Sequence, residues 1–232
     1  MKRVAIIQSN YIPWKGYFDL INKVDEVILY DSVQYTRRDW RNRNQIQTAN
    51  GPTWLSIPVL VKGKYFQKIN ETKICDSRWA EKHWKSIYYN YSNACFFEKT
   101  NSQFFEFYQV AKNFSHLSEI NHFFIKNICE ILNIKTKISF SMDYDLVGGK
   151  SERLLNLCLQ TKATTYLSGP AAKSYLDESL FQSNGINIEW MDYNGYPLYK
   201  QIHSQPFVHA LSIIDLLFNV GVENAPKYML SF

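Results

Sequence analysis

Cysteine is scarce in this chain of 232 residues, and no two of Cys75, Cys95, Cys129 and Cys158 stand at Cys-x-x-Cys spacing. That excludes zinc-ribbon and thioredoxin-type motifs, and no His, Cys, Asp or Glu cluster has metal-ligand spacing. Nine glycines and seven prolines are too few for a collagen-like or linker-dominated chain. No apolar run approaches the ~20 residues of a membrane span. After Met1-Lys2-Arg3 the run Val4-Ala5-Ile6-Ile7 is too short for the core of a signal peptide. A cytoplasmic protein with reduced thiols is expected. Neither sign of charge dominates: 26 Lys and Arg face 21 Asp and Glu, a net +5. The excess is spread along the chain, whereas a duplex binder gathers it on one face.

Aromatic residues are abundant. Six Trp, 16 Tyr and 15 Phe make up 16% of the chain, within a hydrophobic fraction of 46%. Such a chain is not disordered and can bury a large core. Its length suits a single domain, 1–232. Val4–Ile7 shows no alternation and reads as a strand buried on both faces. A polar loop ending at Pro13 follows, then Trp14–Lys23 at helical spacing, then a second buried strand, Val27–Tyr30. This start is a β–loop–α–β crossover. Thr53–Val61 reads as an edge strand because of Pro58. Arg78–Tyr91, Phe104–Phe114 and Ser118–Leu132 read as helices, with Ser118 as an N-cap, so about 75–133 is a helical insertion. Strand and helix then alternate again: Lys137–Met142, a helix from Gly148, Thr164–Leu167, a helix from Pro170 to Asn184-Gly185, and Ile186–Met191. A final helix spans Val208–Phe218. The fold class expected is α/β, a doubly wound, mostly parallel sheet.

In such a sheet ligands bind beyond the carboxyl ends of the strands. Four loops there were candidates. Loop 8–17 carries Gln8, Asn10, Tyr11, Trp14, Lys15, Gly16 and Tyr17, entering a helix N-terminus suited to anions. Its amides and Lys15 would hold a phosphate, and Gly16 would allow close approach. An ordinary βα turn with packed aromatics is the alternative. Loop 31–44 begins with Asp31 and holds Gln34, Arg38, Trp40, Arg43 and Asn44. Arginines interleaved with aromatic rings can grip phosphate and stack on a base or sugar. A solvated basic loop is the alternative. Gly148-Gly149-Lys150-Ser151 resembles the end of a phosphate-binding loop, but Tyr144 stands where that motif needs glycine, leaving a capped helix start. Ser168 and Gly169 lead from a strand end into a helix and would hold an anion, or form a plain tight turn. Among the histidines, His203, beyond Tyr199 and Gln201, is the best candidate, whereas His83 faces an aromatic stripe. Asp215, in an apolar helix, needs a partner, and a loop arginine was the candidate.

Together these residues resemble the WbqC-like family. The resemblance lies in Gln8–Phe18, Asp31–Asn44, Trp54–Val59, Lys82–Tyr91, Tyr166–Tyr175, Tyr199-Lys200-Gln201 and Leu211–Gly221, in order along nearly the whole chain. Ser9 stands where the family usually has proline, which is expected to loosen the loop. The start is more distantly similar to the HIGH-type nucleotidylyltransferases of the HUP-like fold. Trp14-Lys15-Gly16-Tyr17 replaces their His-x-Gly-His, so both histidines are missing.

The resemblance implies a place in O-antigen and surface-polysaccharide synthesis, as a transferase of glycine to the amino group of a nucleotide-linked amino sugar, a dTDP-sugar by preference. Lys15, Asp31 and His203 would be catalytic. The substrate- or phosphate-binding set would be Gln8, Asn10, Tyr11, Trp14, Gly16, Tyr17, Gln34, Arg38, Trp40, Arg43, Asn44, Ser168, Gly169, Tyr199 and Gln201. Glycine needs activation, either by ATP with magnesium or on a charged tRNA. A nucleotidyl- or glycosyltransferase on a sugar nucleotide, or a non-catalytic sugar-nucleotide-binding protein, are the alternatives.

Overall fold

A computed structural model describes residues 1–203 and 206–232. Five parallel strands form the central sheet: β1 (Arg3–Ile7), β2 (Glu26–Leu29), β5 (Lys137–Phe140), β6 (Thr165–Ser168) and β7 (Asn187–Trp190). The antiparallel pair β3 (Arg43–Thr48) and β4 (Gly51–Ser56) stands apart. The helices are α1 (Lys15–Asn22), α2 (Trp79–Tyr91), α3 (Phe97–Ala111), α4 (Leu117–Ile131), α5 (Lys150–Gln160), α6 (Glu178–Ser183) and α7 (Ile213–Val220).

The central strands are apolar without alternation because both faces are covered. Ala5, Val27, Leu29 and Leu167 face one core, shared with α1–α4 and α7. Val4, Ile6, Ile28 and Tyr166 face a second, filled by Leu154, Leu155 and Leu157 of α5 and Phe181 of α6. The sheet is therefore doubly wound. Its order is β5-β2-β1-β6-β7. The chain leaves β1 toward β5 and later returns to β6 on the far side, so the strand order reverses between β1 and β6. The carboxyl ends of that pair are where an open α/β sheet takes its ligand.

Several boundaries differ from the sequence expectation. The pattern misses β3, because Arg43–Thr48 is polar and reads as a continuation of the basic loop. Helix α3 starts at Phe97, seven residues early, because Phe97 is fully buried against Phe218 at 5.0 Å between ring centres. Ser118 lies inside α4, and Glu119 caps that helix by accepting the His116 N–H at 2.9 Å. The helix from Pro170 is instead a short 3-10 turn, Pro170–Ser174, followed by α6. Asp215 pairs with no arginine. Its buried carboxylate accepts from Tyr91 Oη at 2.9 Å and from Tyr199 Oη and Gln201 Nε2 at 2.7 Å. Burial raises its pKa even though those hydrogen bonds favour the charged form.

Candidate functional site

The polar residues that follow β1 and β2 meet under helix α4. Asp31 is fully buried. It accepts from the Ser9 N–H at 2.9 Å, the Ser9 hydroxyl at 2.7 Å and His122 Nε2 at 2.8 Å. Asn121, beside His122, donates to Ser9 Oγ at 3.0 Å and to the Arg41 carbonyl at 2.9 Å. Ser9 therefore pins the loop by two side-chain contacts, and the expected loosening is not found. His122 stacks on Phe140 at the end of β5, with ring centres 4.4 Å apart. Its side chain stays 16% exposed, whereas Asp31 has no exposure at all. A carboxylate can only accept, so Nε2 carries a proton toward Asp31. Among the described residues Nδ1 has no hydrogen-bond partner.

Arg41 closes the loop from above. Nη1 donates to Asn10 Oδ1 and lies 3.4 Å from the Gln8 carbonyl, and Nη2 lies 3.6 Å from Asp39. Its Nε is buried without a partner, as is Oδ1 of Asn121.

Asn10, which Arg41 holds, also lines a cleft of about 270 Å³ with Pro13, Trp14, Trp40, Asn44 and Ala210. One wall is Trp40, tilted against Trp54 at 5.1 Å, with the Arg43 guanidinium 4.0 Å over the Trp54 ring. The other wall is Trp14, backed by Tyr193 at 5.2 Å and Tyr196 at 5.5 Å. Asn44 donates to the carbonyls of Tyr11 and Ile12. It thereby holds Ile12 at φ +35, a conformation that β-branched residues avoid. Strain of this kind persists only where the surroundings impose it, and it clusters at functional sites.

The structure thus brings Gln8, Asn10, Trp14, Asp31, Trp40, Arg43 and Asn44 together. The remaining expected residues go elsewhere. Tyr11 is core and not a stacking platform: its hydroxyl meets Tyr108 Oη at 2.7 Å and His83 Nδ1 at 2.9 Å. Tyr17 is also buried and donates to the Gln8 carbonyl at 3.1 Å. Gly16 makes room for Trp14 and not for a ligand, since a Cβ there would lie 2.3 Å from the indole. Lys15 is buried, with its ammonium 3.3 Å from the Pro197 carbonyl and 4.7 Å over the Tyr196 ring. Burial lowers its pKa to about 8, against the pull of Asp19 and Asp215. Tyr199 and Gln201 hold Asp215. Gln34 donates to the Tyr65 carbonyl at 2.8 Å. Arg38 is exposed, and its carbonyl accepts from Arg43. Ser168 is buried and donates to Tyr166 Oη at 3.3 Å. Gly169 opens the 3-10 turn, so no full helix N-terminus faces an anion there. The His203 side chain is exposed, and its carbonyl accepts from Gln47 at 3.4 Å. Ser9, Arg41, Asn121 and His122 were absent from the expected set. Arg41 was visible in the basic run, but Asn121 and His122 sit in a helix whose only sequence signal is its apolar stripe.

The family profile of the WbqC-like proteins matches residues 8–227. The chain belongs to the WbqC-like family. It is 51% identical over 229 residues to Uncharacterized protein Rv1507c of Mycobacterium tuberculosis, covering 99% of this chain and 98% of that one. No solved structure matches. In this WbqC-like chain, no group of three or more His, Cys, Asp or Glu among the described residues is placed to hold a metal ion. No helix among them is long and apolar enough to cross a membrane.

Proposed function

We propose that this WbqC-like protein is an aminoacyltransferase that forms an amide on the amino group of a nucleotide-linked amino sugar, with glycine as the acyl group, in surface-polysaccharide synthesis. The observation that carries the reading is the pairing of Asp31 with His122, 2.8 Å apart, linked through Asn121, Arg41 and Asn10 to a cleft walled by tryptophans. An amine that attacks an acyl carbon must lose a proton. With Nε2 turned to Asp31, Nδ1 of His122 is the ring nitrogen left to receive it, and Asp31 fixes the ring from behind. Asp31 itself is too buried to meet the amine, so its catalytic part shifts from direct contact to orientation.

The donor would be a glycyl-adenylate made from ATP, or glycyl-tRNA. The sugar nitrogen attacks the glycyl carbonyl, the bond to AMP or to the tRNA ribose oxygen breaks, and the amine proton passes to His122. Arg41 suits the phosphate, since a guanidinium binds phosphate oxygens in a fixed fork. Trp14 and Trp40 suit a base or sugar ring. Magnesium arriving with ATP would take its ligands mainly from the phosphates. Purified protein given glycine, ATP and a dTDP-4-amino sugar should yield a product heavier by one glycyl unit in mass spectrometry. Glycyl-tRNA replaces ATP and glycine in a parallel reaction. Release of pyrophosphate or nucleoside diphosphate without amide would indicate a nucleotidyl- or glycosyltransferase instead. Binding without turnover of any donor would indicate a sugar-nucleotide-binding protein.

A further inference from the structure

Between Asp39 and Glu71 the chain has no acidic residue, but it has Arg41, Arg43, Lys62, Lys64 and Lys68. The tip of this stretch is the loop 61–67. Tyr65 is 71% exposed and Phe66 83%, and Leu60 beside them is 42% exposed. The two rings touch each other edge to face, 4.9 Å apart, and belong to neither core. The backbone that carries them is held at its stem. Gln67 Nε2 donates to the Leu60 carbonyl at 2.9 Å, Gln34 to the Tyr65 carbonyl at 2.8 Å, and Arg37 to the Val61 carbonyl at 2.9 Å. The Tyr35 N–H donates to the Gln67 carbonyl at 2.9 Å. Two rings that belong to neither core, on a braced loop, are thus presented to solvent by the fold itself.

We infer that the loop 61–67 docks the protein on an anionic lipid surface, with Tyr65 and Phe66 entering the headgroup layer and Lys62, Lys64 and Arg37 facing the lipid phosphates. Aromatic rings settle at the membrane interface, and neighbouring cations are drawn to anionic lipid. The rings meet at 89°, so they offer no parallel faces for successive nucleic-acid bases. A seven-residue tip is also short of the roughly 20–30 residues each partner contributes to a standard protein interface. The attachment is peripheral. Arg37 braces the loop and Trp40, three residues on, lines the cleft, so docking would hold the cleft near the lipid. The inference does not depend on which reaction the cleft performs.

The test is co-sedimentation of the full chain with vesicles of phosphatidylcholine alone and of phosphatidylcholine mixed with phosphatidylglycerol. Binding to the mixed vesicles only, weakened by salt, is expected. Lys62→Ala with Lys64→Ala should weaken it about fivefold for each lysine removed. Tyr65→Ser with Phe66→Ser should abolish it at moderate salt. Both double variants should keep the wild-type circular dichroism and melting temperature, because the replaced side chains touch no core. Absence of binding to mixed vesicles would overturn the inference, as would binding that both double variants retain. Equal binding to neutral vesicles would overturn the role given to the lysines. Self-association in solution that the Tyr65→Ser, Phe66→Ser variant loses would show a second copy to be the partner instead.

Discussion

Asp31 and His122 stand 91 positions apart in the sequence and 2.8 Å apart in the structure. Helix α4 delivers the histidine, strand β2 leads to the carboxylate, and Ser9, just beyond β1, donates its N–H to the other oxygen and its hydroxyl to the oxygen that His122 meets. The pair gives the first prediction. His122→Ala should lower the transfer rate by about 10²–10⁴-fold, the usual contribution of a positioned proton acceptor. Its stability should fall as well, because the ring stacks on Phe140 and donates to the fully buried Asp31 carboxylate. Asp31→Asn should lower both, costing about 2–3 kcal/mol in urea unfolding, since buried donors lose a charged acceptor. Equal and small effects of the two substitutions on rate would count against the proposed chemistry.

His83 should make the protein sensitive to mild acid. Its Nε2 lies 3.2 Å from the Ser56 carbonyl and so carries the proton, and Tyr11 donates to Nδ1. Burial, against the Ser56 hydrogen bond, lowers its pKa from 6.5 to about 4. The unfolded chain therefore binds a proton between pH 6.5 and 4 that the native state refuses. Stability should fall as pH drops through that window, by on the order of 3 kcal/mol from this group. Denaturant melts of wild type and His83→Gln at several pH values check this, and the variant should show a shallower slope.

Lys15 should act in the opposite range. Its native pKa of about 8 lies below the ordinary 10.5, so the native state releases its proton first. Stability from this group should rise as pH climbs from 8 to 10.5, by up to about 3 kcal/mol. Lys15→Met should remove that rise and should be at least as stable as wild type at pH 7, because it buries no charge. The same melts, run in alkaline buffer, read this directly.

Gly16→Ala should damage the cleft from behind. The added methyl would lie 2.3 Å from the Trp14 ring and 2.8 Å from another of its atoms. The indole must move, at a cost of about 1–3 kcal/mol for overpacking. A shift in tryptophan emission together with weaker sugar-nucleotide binding is expected. Unchanged binding would separate Trp14 from the ligand.

The fold is largely legible in the sequence. Val4–Ile7 and Val27–Tyr30 are apolar without alternation, and only a strand covered on both faces tolerates that. The aromatic spacing of Arg78–Tyr91 placed α2 within one residue of Trp79–Tyr91. Hairpin strand β3 was not legible, because Arg43, Asn44, Gln45 and Gln47 are polar and its pairing partner lies across a turn. The loops of the site were legible as positions beyond strand ends. The roles inside them were not: Tyr11 and Trp14 are both aromatic and three residues apart, yet one is core and the other lines the cleft.

The sequence by itself determined the family, the alternating α/β plan and the strand ends where a site could form. These follow from local periodicity and from residue types read in order. Tertiary structure alone decided which polar side chains meet. Arg41 and not Arg38 lies over loop 8–10, Lys15 turns into a buried aromatic pocket, and His122 arrives from a helix some ninety residues beyond Asp31. Burial and long-range contact set those outcomes, and neither is encoded in the spacing of neighbours along the chain.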